Sequence, residues 1–412
     1  MNTKKLVLIG FFANIAEWYD FSIYVFLGGA IGALFFASQS PVLEILKIFF
    51  LFSVSYLIRP IGAIIFGYFA DRFGRKKALQ WTIILMALPT IGIGLLPVYD
   101  SIGMTATFLL ILLRLIQGFA SGGELPISAC YIYEVSSTHK KNFFSSFAAA
   151  SSMLGTLLGS LSGYCIYTIF TEKEILDYAW RIPFFIGFIL FLFILYVRNN
   201  IEESKEYQPV HNSVRDVVKT FFSKDKSNVK VVLQIMVVYI FVQSSYYLLF
   251  VWLPTYLTTF LGINKSIALA SNTTGLFFLV AFTLLVGWFT KNGQHKKMVI
   301  FSILSLLFLT YPGFLLFKHG VQYIFMVQIV FAACLACTDG VIWHILSRSF
   351  EPSIRGIGMC VAFVFPTAIF GGCLPTLCTY LIYKFQLELI PVAILAVICL
   401  IALPVVLKAK TI

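Results

Sequence analysis

Five ionisable side chains stand inside stretches that are otherwise apolar: Glu17, Asp20, Arg59, Arg114 and Glu124. Placing a charge at the centre of a bilayer costs at least about 2.5–3.5 kcal/mol, so each such group is a functional candidate by default. Asn14, Glu17, Asp20 and Tyr24 follow one another at steps of three and four, which puts an amide, two carboxylates and a phenol on one helix face. Arg114, Gln117, Ser121, Glu124, Ser128 and Tyr131 repeat the pattern further along. Polar stripes of this kind must face protein or water, because lipid would leave them unsatisfied. Glu17, Asp20 and Glu124 against Arg59 and Arg114 leave one carboxylate in excess, a group that can carry a proton across. Buried ion pairs that only fix helix register are the alternative.

A depth ruler of about 1.5 Å per residue compares these groups. Glu17 lies twelve residues from Lys5, and Arg59 twelve from Asp71. Both therefore stand about 18 Å above the basic boundary and can meet near the midplane. Glu124, fifteen residues from His139, reaches a similar level. Arg114 lies ten residues farther on, so pairing it with Asp20 requires tilt or bending to absorb roughly 10 Å.

The elements that must hold these residues are transmembrane helices. Of the 412 residues, 59% are hydrophobic and 12% charged, against about 45–50% and 25% in soluble domains. That balance excludes soluble, disordered and disulfide-stapled secreted classes. Windows of about 20 apolar residues fall at approximately 6–36, 43–70, 78–97, 105–134, 143–170, 181–198, 229–261, 267–290, 298–317, 322–350, 356–384 and 389–407. The first resembles a signal peptide, but Glu17 and Asp20 interrupt its apolar run and no small-residue cleavage site follows, so it is expected to be retained.

A net charge of +12 raises the question of nucleic acid, but the cations sit between helices. With a cytoplasmic N-terminus, 22 of the 30 Lys and Arg fall on the cytoplasmic side, counting seven from Arg198 to Lys230, and six fall outside. This is the positive-inside signature, with both termini cytoplasmic. All eight cysteines lie in apolar segments, and Cys334 and Cys337 are expected as small packing residues, with no metal or cofactor implied.

A polar stretch, 199–228, divides the segments into halves, 1–198 and 229–412. Gly67, Asp71, Arg72, Gly74, Arg75 and Lys76 have counterparts from Gly287 to Lys297 at an offset of 220 residues, the mark of a duplicated six-helix unit. Val214, Val217, Val218, Phe221 and Phe222 suit either a helix in the cytoplasmic interface or a plain linker. Gly155, Gly159 and Gly163 recur at every fourth position, a stripe expected to let two helix backbones approach. In the second half, Gln243, Tyr246, Tyr247, Trp252, Asp339, Trp343 and His344 are candidates for lining a substrate cavity. Their aromatic rings suit quaternary ammonium, though core packing explains them equally well.

The string from Asn14 to Phe21, the run Arg59-Pro60-Ile61-Gly62, the turn from Asp71 to Lys76, the stretch from Arg114 to Glu124 and Trp180-Arg181-Ile182-Pro183-Phe184 resemble the major facilitator superfamily. The branch they resemble is that of the metabolite:proton symporters, which includes proline/betaine, citrate, α-ketoglutarate and shikimate transporters. The resemblance implies an all-α integral membrane protein of twelve transmembrane helices in two six-helix pseudo-symmetric halves, working by alternating access. It implies proton coupling by Asp20 and Arg114, with Glu17 and Glu124 as further candidates, and gating by Asp71, Arg72, Gly74 and Arg75. Lys291, where an acid is usual, Lys141-Asn142 in place of Arg-Gly, and Leu125-Pro126 after Glu124 depart from the pattern.

The function expected is proton symport of a small carboxylate-bearing metabolite, either a zwitterion such as proline or betaine or an organic acid. Substrate contacts are expected from Arg114, Arg59, Tyr24, Gln117, Gln243, Tyr247, Asp339 and His344, because guanidinium suits bidentate carboxylate recognition. A proton-coupled exporter of small molecules or drugs is the alternative, against which the helix carrying Gly155, Gly159 and Gly163 lacks a Gly-Pro pair. No Ser/His/Asp set, His-rich spacing or P-loop points to an enzyme or an ATP-driven pump. The expected setting is a bacterial inner membrane and the expected state a monomer, with protons, lipid and a small molecule as partners and no nucleic acid.

Overall fold

The computed structural model of the chain describes residues 3–36, 47, 51, 53–136, 140–200, 202–203, 226–352 and 354–409. The stretch 214–222, read as either an interfacial helix or a plain linker, lies outside these residues. Among those described, eleven helices are long and apolar enough to cross a membrane, twelve when the bent pair at the N-terminus counts as one span. In chain order they are α1 (Thr3–Phe26, continued by Gly28–Phe35), α2 (Ser53–Phe73), α3 (Arg75–Leu95), α4 (Met104–Val135), α5 (Lys141–Ile169), α6 (Ala179–Asn199), α7 (Lys230–Thr259), α8 (Lys265–Phe289), α9 (His295–Leu316), α10 (Val321–Arg348), α11 (Arg355–Phe385) and α12 (Ile390–Lys408).

The first span departs from the single helix expected over 6–36. Its two parts meet at Leu27 with a bend of 67°. The Gly28-Gly29 pair that follows supplies little side-chain packing to hold the turn straight. Two further spans leave α geometry at their middle: Tyr247–Trp252 in α7 and Thr367–Gly372 in α11 are π-helical. Pro254 follows the first and Pro366 precedes the second. Each proline removes one N–H from the ladder, and the wider π turn accommodates the missing bond. An apolar window cannot register either feature.

Small residues bring particular helices together. A Cβ on Gly155 would stand 2.5 Å from the Ile15 carbonyl oxygen, and one on Gly159 2.5 Å from Ser22 Cβ, so the glycine stripe of α5 is the groove into which α1 packs. Gly62, Gly118 and Gly122 do the same for α2 and α4, where any Cβ would collide with the backbone carbonyl of Phe119, Ser55 or Arg59. Contacts between the first six spans and the last six run chiefly along α2 with α11 and α5 with α8. The α2–α11 seam is bonded at both of its ends. At the end carrying Asp71, which is the Lys- and Arg-rich end, α2 meets the start of α11. Eighteen residues away, about 27 Å along α2, Ser53 Oγ donates to the Gly372 carbonyl (2.9 Å) and lies 2.8 Å from Thr376 Oγ1.

Candidate functional site

Asp20 on α1 and Arg114 on α4 lie at the same level. Arg114 Nη1 is 3.7 Å from Asp20 Oδ2. Gln117, one turn along α4, links them: its Oε1 accepts from Arg114 Nη1 (3.0 Å) and its Nε2 donates to Asp20 Oδ2 (2.8 Å). Thr90 of α3 donates to Asp20 Oδ1 (2.7 Å). No 10 Å offset separates the pair. The 32 residues of α4 measure about 48 Å against a hydrocarbon core of about 30 Å, so counting inward from His139 starts well outside the membrane.

The second arginine stands close by. Arg114 lies over the rings of Tyr24 (4.1 Å) and Phe21 (4.8 Å), and Arg59 over Tyr56 (3.6 Å) and Phe21 (4.2 Å). Nε and Nη2 of Arg114 and Nε of Arg59 have no hydrogen-bond partner among the described residues. The expected meeting of Glu17 with Arg59 is not made as an ion pair. Ring faces hold the Arg59 guanidinium instead, and Glu17, 1% exposed, keeps one carboxylate oxygen without a hydrogen bond.

Glu124 is committed elsewhere. Arg198 of α6 forks onto both of its carboxylate oxygens and donates to the Leu79 carbonyl, while Thr82 also donates to Glu124. Arg198 is 1% exposed, which corrects its place in the tally of cytoplasmic cations. Beside Arg59 and Arg114 it is a further buried arginine available to the acids of α1 and α4, and it neutralises Glu124. Its position at the start of a polar run conceals this in the sequence. The step Arg59, Arg114, Arg198 matches the three acids Glu17, Asp20 and Glu124 in number, so the excess carboxylate has to be sought in the second half.

That carboxylate is Asp339 on α10. It is 4% exposed, and among the described residues it takes part in no ion pair and its Oδ2 accepts no hydrogen bond. Asp339 lines a central cavity of about 20 Å³ together with Trp18, Tyr239, Gln243, Tyr246, Trp343 and Phe363. That space holds about one water molecule, too little for a metabolite. Trp18 Nε1 and Tyr239 Oη, like Asp339 Oδ2, are buried without a hydrogen-bond partner. Gln243 donates to Thr367 at the start of the π segment of α11 (2.5 Å). Trp18, Tyr239 and Phe363 were absent from the expected set, although Tyr239 stands one turn before Gln243 and its face follows from that spacing.

The remaining candidates divide. Tyr247 shares a hydrogen bond of 2.6 Å with Tyr56, joining α7 to α2 beside Arg59. Tyr24 is buried beneath Arg114 with its hydroxyl unpartnered. His344 does not reach the central cavity. It stacks on His295 with ring centres 5.0 Å apart and borders a separate cavity at the basic end.

The gating candidates form a clasp between α2, α4 and α11. Asp71 accepts from the Gly356 and Ile357 amides (3.1 and 2.9 Å), thereby capping α11, and from Arg75 Nη1 (2.7 Å). Arg75 also meets Glu134 Oε1 (3.3 Å), which Arg355 approaches at 3.1 Å, and donates to the Pro352 carbonyl (3.2 Å). Gly74 makes the turn at φ +106°. A Cβ there would meet Glu203, whose carboxylate accepts from the Arg75 and Lys76 amides (3.0 and 3.1 Å). Arg72 is exposed and donates to Tyr68 Oη (2.5 Å).

Comparison with known proteins agrees with this architecture. The proline/betaine transporter of Escherichia coli K12 is 30% identical over 97% of this chain and 82% of its own length. A glycine betaine/proline/ectoine/pipecolic acid transporter of Dickeya dadantii is likewise 30% identical over 97% of this chain and 82% of its own length. Among solved structures, the proton:xylose symporter bound to 6-bromo-6-deoxy-D-glucose superposes with a TM-score of 0.82 at 16% identity, covering 98% of this chain and 95% of that one. The family model described as Major Facilitator Superfamily matches residues 6–374. The chain is thus an integral membrane transporter that belongs to the major facilitator superfamily.

Proposed function

We propose that the chain imports a small zwitterion, of the proline or betaine kind, together with a proton. The observation that carries the reading is Asp339, an uncompensated carboxylate in a cavity walled by Trp18, Tyr239, Tyr246, Trp343 and Phe363. A carboxylate backed by ring faces suits an ammonium or quaternary ammonium group, which gains from both charge and cation–π attraction. An organic acid lacking a cationic group has no use for Asp339. The open donors of Arg114 and Arg59 suit the carboxylate of the same molecule. The curated relatives named for proline and betaine point the same way.

Coupling is assigned to Asp20. Ionised, it holds Arg114 through Gln117; protonated, it loosens that hold and frees the guanidinium to bind or release the substrate carboxylate. Glu124 serves as a positioning group, held by Arg198. The halves 1–198 and 229–412, joined by 199–228, rock about the central cavity. Asp71, Gly74 and Arg75 close the basic side, which the positive-inside rule makes cytoplasmic.

The test is luminal pH in proteoliposomes under an inward proton gradient, with proline and betaines in one arm and small carboxylates without an amino group in the other. Acidification with the zwitterions alone is expected. Acidification with the simple carboxylates alone refutes the zwitterion reading, and none with either refutes symport.

A further inference from the structure

Among the described residues, three side chains that line the central cavity each carry a buried polar atom without a hydrogen-bond partner: Trp18 Nε1, Tyr239 Oη and Asp339 Oδ2. Other polar atoms of the lining are already engaged. Gln243 Nε2 donates to Thr367, and Tyr246 Oη donates to Thr156 (2.7 Å). Ser152 Oγ donates to the Ala149 carbonyl (2.7 Å). The three open atoms differ in what they can do. An indole N–H only donates, an ionised carboxylate only accepts, and a phenol does both. Tyr239 is held in place by its neighbours: its ring lies 5.8 Å from Trp343 and 5.4 Å from Phe363, edge-on to both, and those two rings are 5.0 Å apart. Trp343 follows Asp339 by one turn of α10, so Tyr239 packs on the helix face that carries the carboxylate. Trp18 comes from α1, and its ring lies 6.2 Å from Tyr247, which bonds to Tyr56 under the Arg59 guanidinium.

We infer that this site selects zwitterions whose ammonium keeps its N–H bonds, amines of the proline kind, over fully methylated betaines. The inference rests on the import reading above, in which the halves rock about this cavity and so widen it for a substrate. Ring faces attract either kind of cation, so they do not choose. Asp339 Oδ2 and Tyr239 Oη do, because each is an acceptor that a secondary ammonium satisfies with one of its two N–H bonds. Water entering the cavity can bond to both oxygens, and a ligand that displaces it without replacing those bonds loses affinity. A quaternary ammonium offers no N–H, and it leaves both oxygens buried and unmatched. Trp18 Nε1 serves the substrate carboxylate, which both kinds of zwitterion share. It adds affinity without discriminating between them.

The full chain in phosphatidylcholine nanodiscs is titrated calorimetrically with proline, N-methylproline and N,N-dimethylproline, which share a ring and a carboxylate and lose one ammonium N–H at each step. Affinity should fall about tenfold or more with each methyl. Tyr239→Phe, which keeps the ring and drops the hydroxyl, should narrow the gap between proline and N,N-dimethylproline about tenfold. N,N-dimethylproline bound as tightly as proline, or more tightly, overturns the inference and leaves the zwitterion reading standing. A gap that Tyr239→Phe leaves unchanged assigns the preference to methyl bulk and overturns the inference as well. Binding of none of the three defeats the zwitterion reading itself, and the inference with it.

Discussion

Arg198, next to last in α6, reaches back to both carboxylate oxygens of Glu124 in the middle of α4. The pair joins the last span of the first half to the helix that carries Arg114 and Gln117. It fixes the height of α4 against α3 as well, through the Leu79 carbonyl and the Thr82 hydroxyl.

Breaking this pair from one side should destabilise more than removing it. Arg198→Leu leaves Glu124 buried and uncompensated, at a cost of about 3–5 kcal/mol. Arg198→Leu with Glu124→Leu should recover most of that. Thermal unfolding of the detergent-purified proteins gives the comparison. A double variant no more stable than the single one would remove the ion pair as the reason.

Asp20→Asn should abolish uphill, proton-driven accumulation and leave the protein folded, because an amide cannot cycle a proton yet still meets Gln117 and Thr90. Counterflow exchange should persist. Undiminished accumulation in proteoliposomes would refute coupling at Asp20.

Arg114→Lys should weaken binding of the substrate carboxylate about tenfold or more, since an ammonium does not reproduce the planar fork. Scintillation proximity with labelled proline measures it. Unchanged affinity would take Arg114 out of the substrate site.

Asp71→Asn removes the charge from two helix-capping bonds and from the contact with Arg75, each charge-assisted bond contributing about 1.5–3 kcal/mol. Cys360 is buried beside this clasp, near Gly67. In a variant retaining Cys360 as its sole cysteine, maleimide labelling should rise about tenfold on Asp71→Asn. A labelling rate unmoved by the substitution would place the gate elsewhere.

Gly118→Val drives two methyls into the Ser55 carbonyl, where backbone cannot yield. A loss of about 3 kcal/mol or failure to recover monodisperse protein is expected. Gly92→Ala, where a Cβ meets only the tip of Leu113 at 3.2 Å, should stay within about 1 kcal/mol of wild type.

The spans were legible because lipid imposes a length on every apolar run: 105–134 became Met104–Val135, and 389–407 became Ile390–Lys408. The cost of burying charge singled out Asp20 and Arg114, but their partnership was legible only through the family resemblance, because the depth ruler set them roughly 10 Å apart where the structure brings them to 3.7 Å. Arg198 was not, because a cation at the border of a polar stretch reads identically whether its side chain turns to water or inward. The bend at Leu27 and the π segments escaped because hydropathy records composition and carries no hydrogen-bond register. His344 shares α10 with Asp339, but five residues separate them, about 7.5 Å along the axis, and that rise takes His344 to a different cavity.

The cap that Asp71 provides for α11 has a consequence for the transport cycle. In the proposed rocking of the halves, the Gly356 and Ile357 amides and the Asp71 carboxylate that now bond to one another would come into contact with water, which can bond to each of them. Opening therefore trades one solvation for another, and its free energy is the small difference between a carboxylate and water as partners. Under the proposed gating, a lock made of helix-end amides would let the open and shut arrangements stay close in energy while still shutting firmly.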